Sequence, residues 1–284
     1  MNKTTQLKKL LLQRKALPCP GVYDALSARM VEYCGFQACQ ISGFGVSASS
    51  LGMTDASFTS LEEIVRITSN IVRAVDIPVM TDADTGYGNA VNVWWTTKRL
   101  EETGAAGMNL EDQCFPKRCG HMAGKQLISL EEMVGKIRAA VDAKRDPDFV
   151  INARTDAAYV CGIEEAIRRG NAYLEAGADM VFVESPASAE EVKRAIEQIK
   201  GPVSINMLEG GRTPMLTFEE LRQLGAARVS CPMFTSLIAA YALSYLMEHG
   251  TSSGFEEHMS FEAFKVFTDT PSVRAMEERY IPKD

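Results

Sequence analysis

Residues 149–185 read FVINARTDAAYVCGIEEAIRRGNAYLEAGADMVFVES. Two short β-rich runs, FVINART and DMVFVES, flank a longer stretch that begins near Ile163 and spaces its apolar residues as a helix does. The segment therefore predicts one strand–helix–strand unit, whose strands run parallel with a right-handed crossover. The same alternation extends in both directions, from residue 17 to about residue 250. The other candidate strands are LPCPG at 17–21, QACQISG at 37–43, IPVMTDAD at 77–84, AAGMNLED at 105–112, PVSINM at 202–207 and ARVSCP at 227–232. Helices are predicted to begin near Tyr23, Thr59, Ala90, Ser129, Ile163, Ala187, Thr217 and Pro232. The pattern SLEE at Ser60 and again at Ser129 places a capping serine before two glutamates, which suits a helix N-terminus.

Eight such units with no proline-, glycine- or serine-rich linker between them predict an α/β fold, a (β/α)8 barrel of the TIM type, in a single domain of residues 1–284. The GxGxxG fingerprint of a doubly wound dinucleotide sheet is not found. Residues 251–284 form a C-terminal helical extension carrying Phe255, Phe261, Phe264, Phe267 and Met276. So many apolar side chains suit either cover for the chain's own barrel or packing against a second subunit.

Composition removes several function classes. Thirty Lys and Arg against thirty-seven Asp and Glu leave a net charge of −7, the wrong sign for binding nucleic acid through the overall field. No apolar run approaches the ~20 residues of a membrane helix, and the opening MNKTTQLKKLLLQRK interrupts its LLL with charges, so a cytoplasmic protein with no membrane partner is expected. The seven cysteines are scattered and never spaced CxxC, which suggests neither a disulfide framework nor a zinc knuckle. Three histidines are too few for a histidine-rich metal site.

In a barrel, side chains alternate along each strand and functional groups gather at the C-terminal strand ends. Period two pairs Asp82 with Asp84, Asn109 with Glu111, Asn152 with Arg154, Phe182 with Glu184 and Ser204 with Asn206, and Ser42 closes a further strand. A lone Asn or Arg there is ordinarily a satisfied structural group. Several carboxylates at one mouth are different, because buried anions repel one another unless a cation intervenes. Asp82, Asp84 and Glu111 are hard oxygen donors without a thiolate or imidazole beside them, which favours Mg2+, or Mn2+, over Zn2+. After the fourth strand, PKRCGHMAGK at 116–125 packs Lys117, Arg118, Cys119 and His121 into five positions. As a functional element it is a water-excluding lid; as a plain one it is a surface loop with a charge cluster. The cations favour thiolate at Cys119 while the carboxylates oppose it.

Six separated motifs resemble the isocitrate lyase and phosphoenolpyruvate mutase superfamily: PGVYDALSA at 20–28, SGFGVSASSLGMTD at 42–55, TDADTGYG at 81–88, EDQCFPKRCGH at 111–121, NARTDA at 152–157 and NMLEGGRTP at 206–214. The resemblance implies a barrel whose last helix is exchanged within a dimer, commonly in a homotetramer built as a dimer of dimers. It implies Asp84 as the direct Mg2+ ligand, with Asp82 and Glu111 holding the ion through water. Tyr23, Ser42, Gly43, Phe44 and Arg154 are implied to grip a 2-oxo or 2-hydroxy acid, with Asp55 and Gly120 among the substrate contacts. Cys119 is the implied general acid, Lys117 and Arg118 supply charge, and Glu184, Asn206 and His121 orient a second carboxylate or the acid.

The expected activity is Mg2+-dependent carbon–carbon cleavage of a substituted malate. 2,3-Dimethylmalate, giving pyruvate and propionate, stands ahead of 2-methylisocitrate, giving pyruvate and succinate. The alternatives are a carboxyphosphonoenolpyruvate-type phosphonomutase and an oxaloacetate hydrolase; the KRCGH segment argues against phosphoenolpyruvate mutase proper. The preference for a methyl arm rests on Leu237, which stands where 2-methylisocitrate lyases place an arginine, and on Phe234 beside it, with Arg212 a compensating cation. A barrel kept only for binding or assembly would leave the convergent carboxylates and the lid thiol without a purpose.

Overall fold

The computed structural model describes residues 1–118, 124–249 and 261–280. The chain divides into two compact units, Met1–Leu237 and Ile238–Asp284. Among the described residues the first unit closes a barrel from β1 (Leu17–Val22), β2 (Cys39–Ile41), β3 (Val79–Asp82), β4 (Gly107–Glu111), β5 (Val150–Thr155), β6 (Met180–Val183), β7 (Val203–Asn206) and β8 (Arg228–Cys231), in chain order. Every neighbouring pair is parallel, and β1 closes on β8 with Leu17 beside Arg228. The (β/α)8 expectation holds strand for strand.

Proline is unusual inside a barrel strand because it removes a ladder donor. In β1 the Leu17 N–H donates to Ala227 O at 3.0 Å, so odd-numbered residues face β8 and the even-numbered Pro18 and Pro20 face β2. The β1–β2 register begins only at Gly21, past both prolines, and no donor is missed.

Helices α1 (Lys3–Leu12), α2 (Ala25–Tyr33), α3 (Gly43–Leu51), α4 (Leu61–Ala74), α5 (Ala90–Glu101), α6 (Leu130–Ala143), α7 (Ala157–Val160), α8 (Ile163–Glu175), α9 (Ala189–Gln198) and α10 (Phe218–Leu224) surround the strands, and α11 (Phe234–His249) follows β8. The predicted starts fall at, or within two residues before, the observed ones. Ser60 and Ser129 accept the N–H groups of Glu63 and Glu132, as SLEE implies. The sequence reading omitted α1, α3 and α7. Helix α1 closes the N-terminal end of the barrel: Leu7 and Leu11 pack with Met80, Ala106, Val150 and Met180. In the second unit, α12 (Phe261–Phe267) and α13 (Thr270–Tyr280) follow α11, and the Phe264 and Phe267 rings lie 5.9 Å apart. No described helix is long and apolar enough to cross a membrane.

The barrel interior changes from apolar to polar towards the C-terminal strand ends. Below those ends Arg228, the first residue of β8, is wholly buried, donating from Nε to Ser204 Oγ at 2.9 Å and from Nη2 to Asn109 Oδ1 at 3.3 Å, with Met80 Sδ 2.8 Å from Nη1. Asn152 Nδ2 also donates to Asn109 Oδ1 at 2.6 Å, and Gln40 Nε2 to Ser230 Oγ at 2.5 Å. These bonds form a rigid floor beneath the mouth.

Two glycines make opposite predictions. A Cβ at Gly21 would stand 2.2 Å from Pro232 O, where only backbone could yield. Gly21→Ala is expected to cost about 1–3 kcal/mol and lower the urea midpoint. Gly135, inside α6, has open space around its would-be Cβ, so Gly135→Ala is expected to stabilise by about 0.4–1 kcal/mol in the same titration.

Candidate active site

The cavity at the C-terminal mouth is built from strand ends and the loops that follow them. Strand β3 ends at Asp82, whose Oδ2 accepts the Gly43 N–H at 3.2 Å from the start of α3. A Cβ at Gly43 would meet that oxygen at 2.6 Å, so only glycine lets the helix end approach the carboxylate. Asp82 Oδ1 accepts the Asp84 N–H at 3.2 Å. Asp84 itself has turned into the left-handed region with φ 46°, and its carbonyl accepts the Glu111 N–H at 2.9 Å. Asp82 and Asp84 therefore converge through a strained turn, not by sharing one face of a continuing strand as period two supposed.

Lys117 is 3% exposed and places Nζ 2.5 Å from Asp55 Oδ2 and 2.9 Å from Asp84 Oδ1. Its backbone N–H donates to Ser57 Oγ at 3.0 Å. On the other side, Arg154 Nε lies 2.9 Å from Asp156 Oδ2 and 3.3 Å from Glu111 Oε2, and Nη2 lies 3.4 Å from Glu184 Oε2. Asn206 Nδ2 donates to both Glu184 oxygens at 3.3 Å, and Ser185 Oγ to Oε1 at 3.1 Å.

Burial pushes the Asp84 carboxyl up to about 6, with Asp82 and Asp55 adding to the rise and Lys117 opposing it. Burial likewise holds Glu111 well above the usual carboxylate range, although Arg154 and Lys117 pull it down. Burial works against charge on Lys117 and Arg154, but the surrounding carboxylates outweigh it and keep both ionised. The mouth thus holds carboxylates that keep their protons to higher pH than ordinary carboxylates do, and further positive charge would favour their ionised forms.

Those residues fit a hard divalent cation. Asp82, Asp84 and Glu111 supply oxygen donors only, and Glu111 Oε1 is buried with no hydrogen-bond partner among the described residues. No trio of His, Cys, Asp or Glu side chains among the described residues is close enough to ligate a metal directly. One direct ligand with two carboxylates acting through water needs no such trio, and the neutral outer positions suit Mg2+.

The structure brings together at one cavity Ser42, Gly43, Phe44, Asp55, Asp82, Lys117, Arg154, Glu184 and Asn206, with Asp84 and Glu111 bonded to its lining. Tyr23 stands beside it, packed over Gly45, and burial raises its hydroxyl pKa. Four expected residues lie elsewhere. Leu237 and Phe234 wall a separate apolar cavity of about 430 Å3 with Met207, Met215 and Phe218. Leu237 sits one helical turn past Met233, its N–H donating to Met233 O at 2.9 Å, and that turn carries it away from the mouth. Apolar contact at the mouth comes instead from Phe44, Phe182, Leu208 and Met233. Arg212 is exposed and stacks on Tyr159, 4.9 Å from the ring centroid, and does not line the cavity. Arg118 is exposed, with its backbone paired to the Gln113 side chain at 2.9 and 3.0 Å, and is not part of the cavity wall. Lys117 serves Asp55 and Asp84 in place of an open anion site. Cys119, Gly120 and His121 lie outside the described residues.

Residues not singled out from the sequence are Gln40 and Ser230, which line the cavity, and Asp156, which pairs with Arg154. Extending period two by one step from Arg154 reaches Asp156, so that signal was present. Nothing local marked Gln40 or Ser230, whose meeting is a product of barrel closure.

The family model for phosphoenolpyruvate phosphomutase matches residues 7–249. The chain is 44% identical to the 2,3-dimethylmalate lyase of Eubacterium barkeri over 285 residues, 99% of each chain. It is 44% identical to a 2-methylisocitrate lyase of Aeropyrum pernix over 249 residues, 86% of this chain and 80% of that one. Among solved structures, a 2,3-dimethylmalate lyase superposes with TM-score 0.87 at 33% identity, covering 98% of this chain and 95% of that one. A phosphonopyruvate hydrolase in complex with oxalate and Mg2+ superposes with TM-score 0.85 at 29% identity, covering 99% and 100%.

A carboxyl raised to about 6 must lose its proton before it can hold a cation. Calorimetric titration of metal-free protein with Mg2+ should therefore show affinity constant above pH 6 and falling about tenfold per pH unit below it for each proton displaced. A pH-independent affinity between 5 and 7, on the order of one value throughout, would mean that Asp84 is already ionised there.

Proposed function

The chain belongs to the phosphoenolpyruvate phosphomutase family, and from that membership we propose that it is a Mg2+-dependent carbon–carbon lyase that cleaves a substituted malate, 2,3-dimethylmalate first and 2-methylisocitrate second. The observation that carries this reading is the division of the mouth. Asp82, Asp84 and Glu111 form an oxygen-donor side, and Arg154, Asn206 and Glu184 a side that recognises carboxylate and hydroxyl groups, with Glu111 and Arg154 touching where they meet. A full-length relative at 44% identity that is named a 2,3-dimethylmalate lyase supports the same substrate.

When bound, Mg2+ supplies fixed positive charge that favours ionisation of a 2-hydroxyl. Arg154 holds the adjacent carboxylate with a guanidinium whose shape suits planar, two-point recognition. As C2–C3 breaks, the hydroxyl oxygen becomes the carbonyl of pyruvate, and the bonding pair passes to C3 as an enediolate of propionate. That fragment needs a proton at C3, which we assign to the thiol of Cys119. Asn206 and Glu184, held together by the Asn206 Nδ2 bonds, line the side of the cavity assigned to the departing carboxylate. Phe44, Phe182, Leu208 and Met233 offer apolar contact to methyl substituents. A charged arm would find the nearby cations already paired: Lys117 with Asp55 and Asp84, Arg154 with Asp156.

The same reading includes a homo-oligomer. Support comes from the apolar cavity walled by Phe234 and Leu237, and from Tyr241, Leu243 and Met247, which α11 leaves more than 60% exposed.

Purified protein with Mg2+ is expected to convert 2,3-dimethylmalate to pyruvate and propionate, with products identified by NMR, and to do so with higher kcat/KM than 2-methylisocitrate. Oxalate from oxaloacetate, or a phosphonate product, would move the assignment to the hydrolase or mutase class. Cys119→Ser should bind substrate but lose about 10²–10⁴-fold in turnover. Because Leu237 lies away from the mouth, Leu237→Arg should leave the ratio of the two kcat/KM values within about threefold, less than one cavity methylene is worth.

A further inference from the structure

Arg154 sits among more negative charge than one carboxylate grip requires. Asp156 meets its fork with both oxygens, Oδ2 at 2.9 Å from Nε and Oδ1 at 3.2 Å from Nη2. Glu111 and Glu184 stand just beyond, at 3.3 and 3.4 Å. Both of those have other partners or duties: Glu111 belongs to the oxygen-donor side, and Glu184 accepts from Asn206. A guanidinium released from Asp156 would close further onto Glu111, beyond its present contact with Oε2, and engage the Oε1 oxygen that a divalent cation needs.

Asp156 is placed independently of Arg154. Its N–H donates to Asp112 Oδ1 at 2.9 Å, and its Oδ1 accepts from Lys125 Nζ at 2.7 Å, with both side chains of that ion pair fully buried. Asp112 is held in turn from outside the barrel. Tyr173 OH donates to its Oδ2 at 2.7 Å and Arg169 Nη1 at 3.1 Å, both from α8, and Thr155 Oγ1 donates at 2.8 Å. A continuous set of buried bonds therefore runs from α8 through Asp112 and Asp156 to the Arg154 fork. Surrounding groups that orient a binding residue in this way are commonly worth about 10–100-fold in affinity or activity.

We propose that Asp156 is a positioning residue which, anchored by Asp112 and neutralised by Lys125, keeps the Arg154 fork on itself and limits it to one longer contact, Nε to Glu111 Oε2 at 3.3 Å, so that Glu111 Oε1 stays available to a divalent cation while the rest of the guanidinium serves a substrate carboxylate. The proposal rests on the metal and dicarboxylate assignment above and gives it an internal partition. It makes Asp156 the element that keeps one protein cation from competing with the metal.

The test is Asp156→Asn, which preserves shape and one acceptor and removes the charge. A crystal structure of the metal-free variant should show Arg154 rotated onto Glu111. Mg2+ affinity by calorimetry should fall about 10–100-fold, with KM raised more than kcat is lowered. A merely structural role would lower the melting temperature and leave Arg154 and Mg2+ affinity as in the parent, which overturns the proposal. Asp156→Asn/Lys125→Met also removes the buried ammonium that faced the lost charge and should recover thermal stability without recovering Mg2+ affinity. It carries the same two readouts if the single variant fails to fold, and recovered affinity in it overturns the proposal. If the parent itself fails to bind Mg2+, the metal assignment falls, while the position of Arg154 in the metal-free variant still decides whether Asp156 positions it.

Discussion

Negative charge withdrawn from water governs the mouth of this barrel. Asp156 is 0% exposed, Glu184 1%, Glu111 2% and Asp55 6%, and Asp82 and Asp84 stand against them. Each ionised carboxylate at such depth costs several kcal/mol unless positive charge shares the space. The protein supplies Lys117 to Asp55 and Asp84, Arg154 to Glu111, Asp156 and Glu184, and Lys125 to Asp156. The compensation is incomplete at Asp84 and Glu111, whose carboxyls sit above the usual range. A site left short of positive charge in this way is poised for a cation from solution, and its fold must tolerate the strain meanwhile.

The barrel meets that demand from below and from the sides. Arg228, Asn109, Asn152 and Ser204 tie four strands into one hydrogen-bonded floor, which fixes the strand ends above it. Gly43 lets the start of α3 donate directly to Asp82, and the left-handed turn at Asp84 redirects its carboxylate towards Lys117. The outer helices take part as well, since α8 reaches the interior through Arg169, Tyr173 and Asp112. Positioning on rigid elements with a supporting layer of bonds is what small-molecule chemistry on an anionic substrate requires.

Family membership and geometry support each other at the level of reaction class. The comparisons supply a lyase relative along the whole chain; the structure supplies a mouth divided between oxygen donors and a fixed guanidinium. Substrate choice rests on finer features. The apolar side chains at the mouth come from α3 (Phe44), β6 (Phe182), the loop after β7 (Leu208) and the turn after β8 (Met233), and not from Leu237 in α11, which lines a separate cavity.

The sequence by itself determined the barrel. Eight β-rich runs and the caps at Ser60 and Ser129 are local signals, set by side-chain alternation and by the first turn of each helix, and each appears where the residues place it. Most of the mouth was legible for the same reason, because period two makes Glu111, Arg154, Glu184 and Asn206 point inward without reference to any neighbour. Helices α1 and α3 escaped notice because tertiary packing stabilises them: α1 by the apolar floor it covers, α3 by the carboxylate at its N-terminus. Only the closed structure decided which cation serves which anion. Lys117 lies 62 residues from Asp55 and Lys125 lies 31 from Asp156, while Arg228 reaches Asn109 across 119. Such pairings depend on strand order, register and depth below the surface, and a linear pattern of residue types contains none of the three.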